Sequence, residues 1–544
     1  MIRNRMPAII IKNTRNTNKS SSFQAAADER KGLPRGSVSL ISIVSGAILG
    51  LCAPGIGIWP LAWFGLTPLL LLSISSPNRW SALWRGLLFG TAYNLVYANF
   101  LLGLQPLDWL GFPGIQGMLM AAAAWFILCS HQGILIAIFS VVLKSIPLHG
   151  GFFPEKLKGQ WKLPALLVVP LLWQLCINRI GNAHELLGIP WTMLEYSQYQ
   201  QIPLIQVCSI IGGVGLSCLI VMVNTAIAVL IATILMKKSD LSIAAAKKMQ
   251  AVGQCMVCGL IISSIVFYGF WQTSTHHDYQ TTPTSVLQGN INIEMQKTEH
   301  RYTLAELITH YKRMLEKSPA GLCVWTENAL PCYLNLEPET AHDISTAAQA
   351  KRLDLVVGAM DKDALGRPYN SAYGFAASGK IAPVVYHKRY LVPFGEYTPS
   401  IVKNFPEWIL RLTNTPAGGG FESGKEPIVL NLNSGAVAPL VCFETLSPEL
   451  VSSSVRKGAQ LLVNVSDLAW FHKSICGEQM AAFSVLRAVE NGRFFVFAAN
   501  TGPSVIIDPN GRITAATSVG SERVLVGQVG FTKHVTPFTQ WYLF

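Results

Sequence analysis

Charge is scarce along this chain. Of its 544 residues only 13% are Asp, Glu, Lys or Arg, against about 25% in an ordinary soluble domain, and 50% are apolar. Mean hydropathy is +0.36. That composition excludes a protein that is soluble throughout. Acidic residues are the rarer sign, 30 against 42 basic ones, which leaves a net charge of +12. Metal-binding patterns are missing too. The eleven cysteines follow no zinc spacing and no histidine cluster accompanies them, so neither a metal nor a cofactor is indicated. Cys255-Met-Val-Cys258 has redox-motif spacing, but it lies inside an apolar stretch where free cysteines pack as small hydrophobes. The N-terminal tail has no apolar core beside its charges, which argues against a cleavable signal peptide; it reads as a polar, disordered segment. No internal repeat is visible.

Long apolar runs are what the chain has instead, and they concentrate before about residue 273. A membrane crossing needs about 20 mostly apolar residues. Seven stretches qualify, near Val38–Ala53, Ile58–Ile74, Leu87–Leu104, Ile115–Leu143, Leu163–Ile177, Ile205–Met236 and Val252–Trp271. The first, second and fifth are short. Basic residues fill the tail and alternate loops (Arg79 and Arg85; Lys144, Lys156, Lys158 and Lys162; Lys237, Lys238, Lys247 and Lys248). The opposite loops hold Asp108, Glu185 and Glu195 with one basic residue, Arg179. Cationic loops stay cytoplasmic, so the tail is expected inside and everything after Trp271 outside. The positive charge is therefore a topology signal rather than a nucleic-acid footprint.

From Thr284 the pattern changes to short β-branched runs alternating with helical segments, which predicts an α/β domain of about 250 residues. Expected strands are Ser285–Gln288, Leu322–Thr326, Leu355–Met360, Ala372–Ala376, Val437–Val441, Leu461–Val465, Phe494–Ala499, Ser504–Ile507 and Val524–Val529. Expected helices are Leu304–Glu316, Pro448–Arg456 and Glu478–Val489. Ser447 as N-cap before Pro448 marks one helix start, and Gly492 marks a stop. The chain thus divides into a basic tail (1–36), a transmembrane helical domain (37–273), a linker (274–283), an extracytoplasmic catalytic domain (284–535) and a C-terminal tail (536–544).

Three residues of the outer half carry candidate chemistry. Cys442 closes the apolar run Gly435–Cys442, Glu327 ends Cys-Val-Trp-Thr-Glu, and Lys388 lies in Tyr-His-Lys-Arg-Tyr-Leu-Val-Pro-Phe-Gly-Glu396-Tyr. A thiol attacks only as thiolate, so it needs a lowered pKa or a base. A carboxylate raised by a low-dielectric site can serve as that base. The tetrahedral oxyanion then needs a fixed positive partner, which Lys388 and backbone N–H groups beside Cys442 could supply. Each residue also has a plain reading: Cys442 as packed core, Glu327 as a loop acid, Lys388 as a solvated charge.

The flanking residues sharpen the choice. Val324-Trp325-Thr326-Glu327, Lys388 with Leu391-Val392-Pro393-Phe394-Gly395-Glu396-Tyr397-Thr398-Pro399, and Val441-Cys442-Phe443-Glu444 together resemble the apolipoprotein N-acyltransferases. Gly188-Ile189-Pro190-Trp191 and Asn464-Val465-Ser466-Asp467-Leu468-Ala469-Trp470-Phe471 agree as well. The resemblance implies an all-α transmembrane bundle of about seven helices followed by a nitrilase-like α/β domain, a four-layer αββα sandwich. It implies a Glu327–Lys388–Cys442 triad, with Glu396 and Glu444 as acids needed nearby. It further implies phospholipid as acyl donor, a cysteine thioester, and the α-amino group of a diacylglyceryl-cysteine lipoprotein as acceptor, in a bacterial inner membrane with a periplasmic catalytic domain. Phe443, Trp325 and Trp470 are expected to support the site or touch substrate. Trp408, within the amphipathic segment Asn404–Leu412, is expected to belong to a lid that dips into the lipid.

The chain departs from the family at Phe443 (commonly Tyr), Tyr390 (often His) and Thr326 (often Pro). The family also returns to the membrane through a final helix, whereas here the sequence runs out at Gln540-Trp-Tyr-Leu-Phe544. The outer domain is therefore expected to hang from a single tether. Two other functions stay open on the residues alone. One is a membrane-tethered carbon–nitrogen hydrolase acting on a small amide; the other is a non-catalytic scaffold that binds lipoproteins.

Overall fold

The computed structural model describes residues 34–108, 111–146, 148–149, 163–180, 190–235, 241–275, 279–297, 301–393, 395–397 and 420–542. The expected tail charges up to residue 33 and the lid around Trp408 lie outside these residues.

Apolar sequence becomes helix throughout the first half. The helices are α1 (Arg35–Gly50), α2 (Thr67–Ile74), α3 (Arg79–Tyr97), α4 (Ile115–Ser145), α5 (Ala165–Trp173), α6 (Cys208–Leu235) and α7 (Leu241–Ser274). Ile115–Ser145, Cys208–Leu235 and Ala245–Ser274 are long and apolar enough to cross a membrane, while Gly36–Gly50, Trp59–Ile74 and Ala165–Ile180 are shorter apolar helices. Two devices hold the bundle together. At Gly90 an added Cβ would lie 2.8 Å from the Ile136 side chain, so a small residue lets α3 and α4 approach closely. Asn224, fully buried on α6, accepts from the Leu66 and Thr67 N–H groups at 3.0 Å and donates to the Ala62 carbonyl at 2.8 Å. It thereby satisfies backbone groups at the start of α2 that no water could reach. Helix α7 is peripheral: only 11% of its apolar window is buried, against 44% for α4 and α6.

The second half holds strands β1 (Thr281–Gln288), β2 (Gly321–Trp325), β3 (Leu353–Lys362), β4 (Pro368–Phe375), β5 (Tyr386–His387), β6 (Leu430–Asn431), β7 (Ala436–Val441), β8 (Leu461–Ser466), β9 (Phe495–Ala499), β10 (Val505–Ile507), β11 (Ile513–Ala516) and β12 (Arg523–Gly530). They form two sheets, ordered β12-β1-β2-β3-β4-β5 and β11-β10-β9-β8-β7-β6, with the short strand Leu330–Tyr333 added beside β3. Both centres are parallel, β1-β2-β3 in one and β7-β8-β9 in the other. Alternation along each strand then builds three layers of core. Val286, Val324, Val356, Val441, Val465 and Val496 fill the space between the sheets. On the outer side of the first sheet, Leu287, Trp325 and Leu355 meet α8 (Leu304–Leu315) and α9 (Pro338–Lys351).

The outer face of the second sheet has a different neighbour. Leu440, Leu462 and Phe497 pack under α10 (Pro448–Arg456) and α11 (Cys476–Asn491), and the same cluster continues through Phe483 to Trp191, Tyr196 and Phe100 of the membrane half. The αββα sandwich and the bundle thus share one apolar core. Local signals set the ends of several helices. Thr303 and Glu306 cap α8 reciprocally, Ser447 accepts from Leu450 N–H at 3.3 Å ahead of α10, and Gly492 closes α11 with a φ of 60°.

Several features differ from expectation. Strands β5, β6, β11 and Leu330–Tyr333 are two to four residues long, too short to show as runs in the sequence, and three helices rather than seven reach crossing length among the described residues. Helix α9 was missed because its apolar face is narrow: only Ile344, Ser345 and Ala348 are buried. The α/β domain, moreover, packs on the bundle beyond its one chain connection. After β12 the chain forms α12 (Pro537–Trp541), and Phe538 packs against Gly212, where a left-handed φ of 68° kinks α6. Thr536 Oγ1 donates to the Glu490 carbonyl at 2.5 Å, and Glu490 Oε1 accepts from Gly213 N–H at 2.8 Å. The domain is docked by its last turn as well as by its first linker.

Candidate active site

Cys442 follows β7 directly and has a φ of 51°. A left-handed conformation costs a side-chain-bearing residue about 1–2 kcal/mol, so neighbours must impose it. Glu444 does so from below, accepting from Val441 N–H at 2.7 Å. Asn464, on the adjacent parallel strand β8, donates to the Cys442 carbonyl at 2.9 Å and also to Thr445 Oγ1. Ser466 fixes that amide by donating to Asn464 Oδ1 at 3.1 Å. Cys442 as a residue is partly buried, and its side chain packs against the core between the two sheets.

Lys388 follows the short strand β5 and is only 1% exposed. Its N–H donates to the Asn370 carbonyl at 2.8 Å. Its Nζ lies 2.9 Å from Glu396 Oε1 and 3.3 Å from Glu327 Oε1. The Asn370 amide donates to both carboxylates at 2.8 Å, tying the two acids together around the lysine. Glu327 Oε2 accepts from Asp467 N–H at 2.8 Å, and Glu396 Oε2 from Val392 N–H at 2.8 Å. All four carboxylate oxygens are therefore held.

Two buried acids, one buried ammonium and a thiol set the electrostatics. Burial pushes the Glu327 carboxyl above its ordinary value; the charge of Lys388 pulls it back and Glu396 pushes it further. Burial alone would lower Lys388, but Glu327 and Glu396 outweigh it and keep the ammonium charged well above its usual range. Burial also pushes the Cys442 thiol up, with Glu327 adding to the effect and Lys388 opposing it. The resting thiol is neutral, so attack requires a base, and Glu327 is the raised carboxylate within electrostatic reach.

Glu444 is fully buried beneath this cluster. Besides Val441 N–H it accepts from Arg389 N–H at 2.6 Å, Tyr390 N–H at 3.1 Å and the Tyr386 hydroxyl at 2.7 Å. It therefore pins the lysine segment to the cysteine turn, a positioning role that its place beside Cys442 in sequence does not reveal. Phe443 stacks on Tyr390 at 5.3 Å between ring centroids and on Trp191 at 6.1 Å. Trp191 in turn stacks on Phe100 at 4.6 Å and donates to Gln479 Oε1 at 2.5 Å. The ring beside the sulfur thus touches the membrane half.

Other expected site residues lie elsewhere. Trp325 is not a substrate contact: it is 1% exposed, stacked on Tyr311 at 4.9 Å in the core beneath α8. Trp470 is partly buried in the turn Ala469–Phe471, next to Phe471, whose ring packs edge-on against Phe100 at 5.2 Å. Trp408 lies outside the described residues. Sequence reasoning missed Asn370, which lies just ahead of the expected strand Ala372–Ala376, and Gln479; neither carried a signal in the sequence. Among the described residues no group of His, Cys, Asp and Glu could hold a metal ion.

Two family models match separate parts of the chain. Residues 284–532 match the carbon-nitrogen hydrolase family model, and residues 45–226 match that of the apolipoprotein N-acyltransferase N-terminal domain. The chain is 32% identical over 503 residues to an apolipoprotein N-acyltransferase of Geobacter metallireducens, covering 90% of this chain and 89% of the relative. It is 27% identical over 511 residues to that of Gloeobacter violaceus, covering 92% and 90%. Among solved structures, a carbon-nitrogen hydrolase from Helicobacter pylori G27 is similar at 19% identity and a TM-score of 0.36, over 47% of this chain and 90% of its own.

Proposed function

Because the chain belongs to the apolipoprotein N-acyltransferases, we propose that it moves a fatty acyl group from a membrane phospholipid to the α-amino group of a diacylglyceryl-cysteine lipoprotein through a thioester on Cys442. It is a membrane N-acyltransferase, and Glu327, Lys388 and Cys442 are the residues we assign to the chemistry.

In the first half-reaction Glu327 takes the thiol proton as the sulfur attacks the ester carbonyl. The C–S bond forms, the ester C–O bond breaks, and Glu327 returns the proton to the departing lysophospholipid oxygen. An ammonium has three N–H groups. Two of those on Lys388 face Glu327 and Glu396, which leaves one for the oxyanion, together with backbone N–H groups at the cysteine turn. In the second half-reaction the acceptor amine attacks the thioester and the thiol is regenerated.

The observation that carries this reading is the ammonium held between two buried acids beside a cysteine whose neighbour, Phe443, stacks on Trp191 of the membrane half. The charge pattern supports a cytoplasmic N-terminus, seven crossings and an outer domain in the periplasm, with the catalytic part spanning residues 284–535. Mass spectrometry after incubation with phospholipid tests the chemistry. The expected result is a fatty-acyl mass on Cys442 that disappears when a diacylated lipopeptide is supplied. Lipid-independent amide hydrolysis with no adduct would overturn it.

A further inference from the structure

Asp467 follows β8 directly and is buried, 8% exposed. Its N–H donates to Glu327 Oε2 at 2.8 Å. The two oxygens of Glu327 are not equally occupied. Oε1 accepts from the Asn370 amide and from Lys388, whereas among the described residues Oε2 accepts from Asp467 only. A carboxylate oxygen has room for about two donors, so Oε2 is the one left to take a proton. The turn that begins at Asp467 therefore aims the proton-accepting oxygen of the base.

The Asp467 carboxylate holds that turn. Its Oδ1 accepts from Ala469 N–H and from the Asn500 amide, both at 3.0 Å, and its Oδ2 accepts from the Gln296 amide at 2.8 Å. Accepting N–H bonds favours the charged form of a carboxyl. Asn500 follows β9, and its N–H donates to the Ser466 carbonyl at 3.0 Å. Its side chain also brackets Ile291, accepting from the N–H at 3.0 Å and donating to the carbonyl at 2.6 Å. Gln296 lies on the short helix Ile293–Lys297 that follows β1. One carboxylate thus gathers the ends of β1, β8 and β9, from both sheets, at the acid that follows β2.

We propose that Asp467 is a positioning residue for the base: its carboxylate fixes the turn whose N–H aims Glu327 Oε2, and its charge offsets that of Lys388 at Glu327. The inference deepens the acyltransferase reading and rests on Glu327 as the base that takes the thiol proton. An ammonium beside a carboxylate favours the charged form and so weakens it as a base. Glu396 counters Lys388 by direct contact, and Asp467 adds a second negative charge. Burial is the main reason that the Glu327 carboxyl lies above its ordinary value; Lys388 opposes it, and Glu396 and Asp467 add to it. The Cys442 thiol also acts on Glu327 electrostatically, and Arg301, Tyr302 and Tyr311 border the same cavity as Glu327. In the step itself the S–H proton passes to Glu327 Oε2 as the C–S bond forms. The same proton then leaves on the lysophospholipid oxygen as the ester C–O bond breaks, and Asp467 exchanges none.

The test is the pH dependence of thioester formation from phospholipid, timed by mass spectrometry on the full chain. The rate rises with pH as Glu327 ionises, so the acid limb of the profile reports this carboxyl. The position of the limb does not depend on how much of the chain folds. Asp467→Asn keeps the N–H and an acceptor oxygen and removes the charge. Its acid limb is expected to move down by roughly 0.5–1 pH unit, with a plateau about threefold lower because the base is weaker. Gln296→Ala leaves the charge and removes one tether of the turn. Its plateau is expected to fall about fivefold, the equivalent of one hydrogen bond, with the acid limb in place. A merely structural role would leave the limb of D467N unmoved. That result, a limb that moves up, or a Q296A chain with the parent's rate would each overturn the inference. Thioester formation by Glu327→Gln at the parent's rate would instead overturn the assignment of the base, and absence of any thioester in the unsubstituted chain would overturn the acyltransferase reading itself.

Discussion

Phe443 stacks on Trp191 with 6.1 Å between ring centroids and planes 28° apart. Phe443 sits one residue past Cys442, and Trp191 belongs to the membrane half, stacked on Phe100 and hydrogen-bonded to Gln479 of α11. Gln479 also donates to the Tyr97 carbonyl at 2.9 Å. The cysteine turn is therefore packed on the bundle through one ring and one amide, and a change at this joint reaches both halves.

Replacing Trp191 by Ala is expected to destabilise the protein by about 3–5 kcal/mol, the usual cost of deleting a large buried aromatic. Trp191→Phe keeps the stack and loses only the donor to Gln479, a cost of about 1 kcal/mol. Thermal unfolding of the purified chain in detergent measures both. Equal behaviour of the two variants would show that the stack contributes nothing.

Glu396 shares Lys388 with Glu327 and also raises the Cys442 thiol. Glu396→Gln removes one negative charge from the cluster, so the thiol pKa falls. Alkylation of Cys442 by iodoacetamide near pH 8 should therefore speed up. Thioester formation should nevertheless slow, because Lys388 loses its nearer partner. A slower alkylation would contradict the charge assignment.

Burial holds the Glu327 carboxyl above its ordinary value of 4.5. Between its unfolded and folded pKa values the native state binds the extra proton, so this group's contribution to stability falls as pH rises through that window. Glu327→Gln abolishes that slope. The variant is expected to unfold at or above the parent's midpoint at pH 7 while forming no thioester. Differential scanning at pH 5 and pH 7 reads the effect, and a steeper loss of stability in E327Q would reverse the sign.

Glu444 holds Val441, Arg389, Tyr390 and Tyr386 at once. Glu444→Ala leaves buried N–H groups without an acceptor and should cost at least about 2 kcal/mol. It should also raise the proteolytic susceptibility of the Lys388 segment. Limited proteolysis mapped by mass spectrometry checks this, and an unaltered pattern would mean that the segment is pinned by other contacts.

Much of the architecture was legible because it is local. Apolar runs and period-two alternation located each of the nine expected strands to within a few residues, and Ser447-Pro448 located the start of α10. Where amphipathy is thin, as over Pro338–Lys351, the same reasoning had nothing to grip. Glu327, Lys388 and Cys442 stood out through the words around them, not through their own types.

What the amino-acid order determined by itself was therefore which segments form apolar helices, which form sheet, and which polar residues end apolar strands, since each depends on patterns within a few residues. Only the tertiary structure decided that Asn370 and Glu396 share Lys388, that Glu444 ties two distant loops, that Cys442 takes a left-handed turn, and that Trp191 and Phe538 dock the outer domain on the bundle. Those outcomes depend on which strand ends and loops converge after the sheets twist and stack, and no spacing along the chain encodes that convergence.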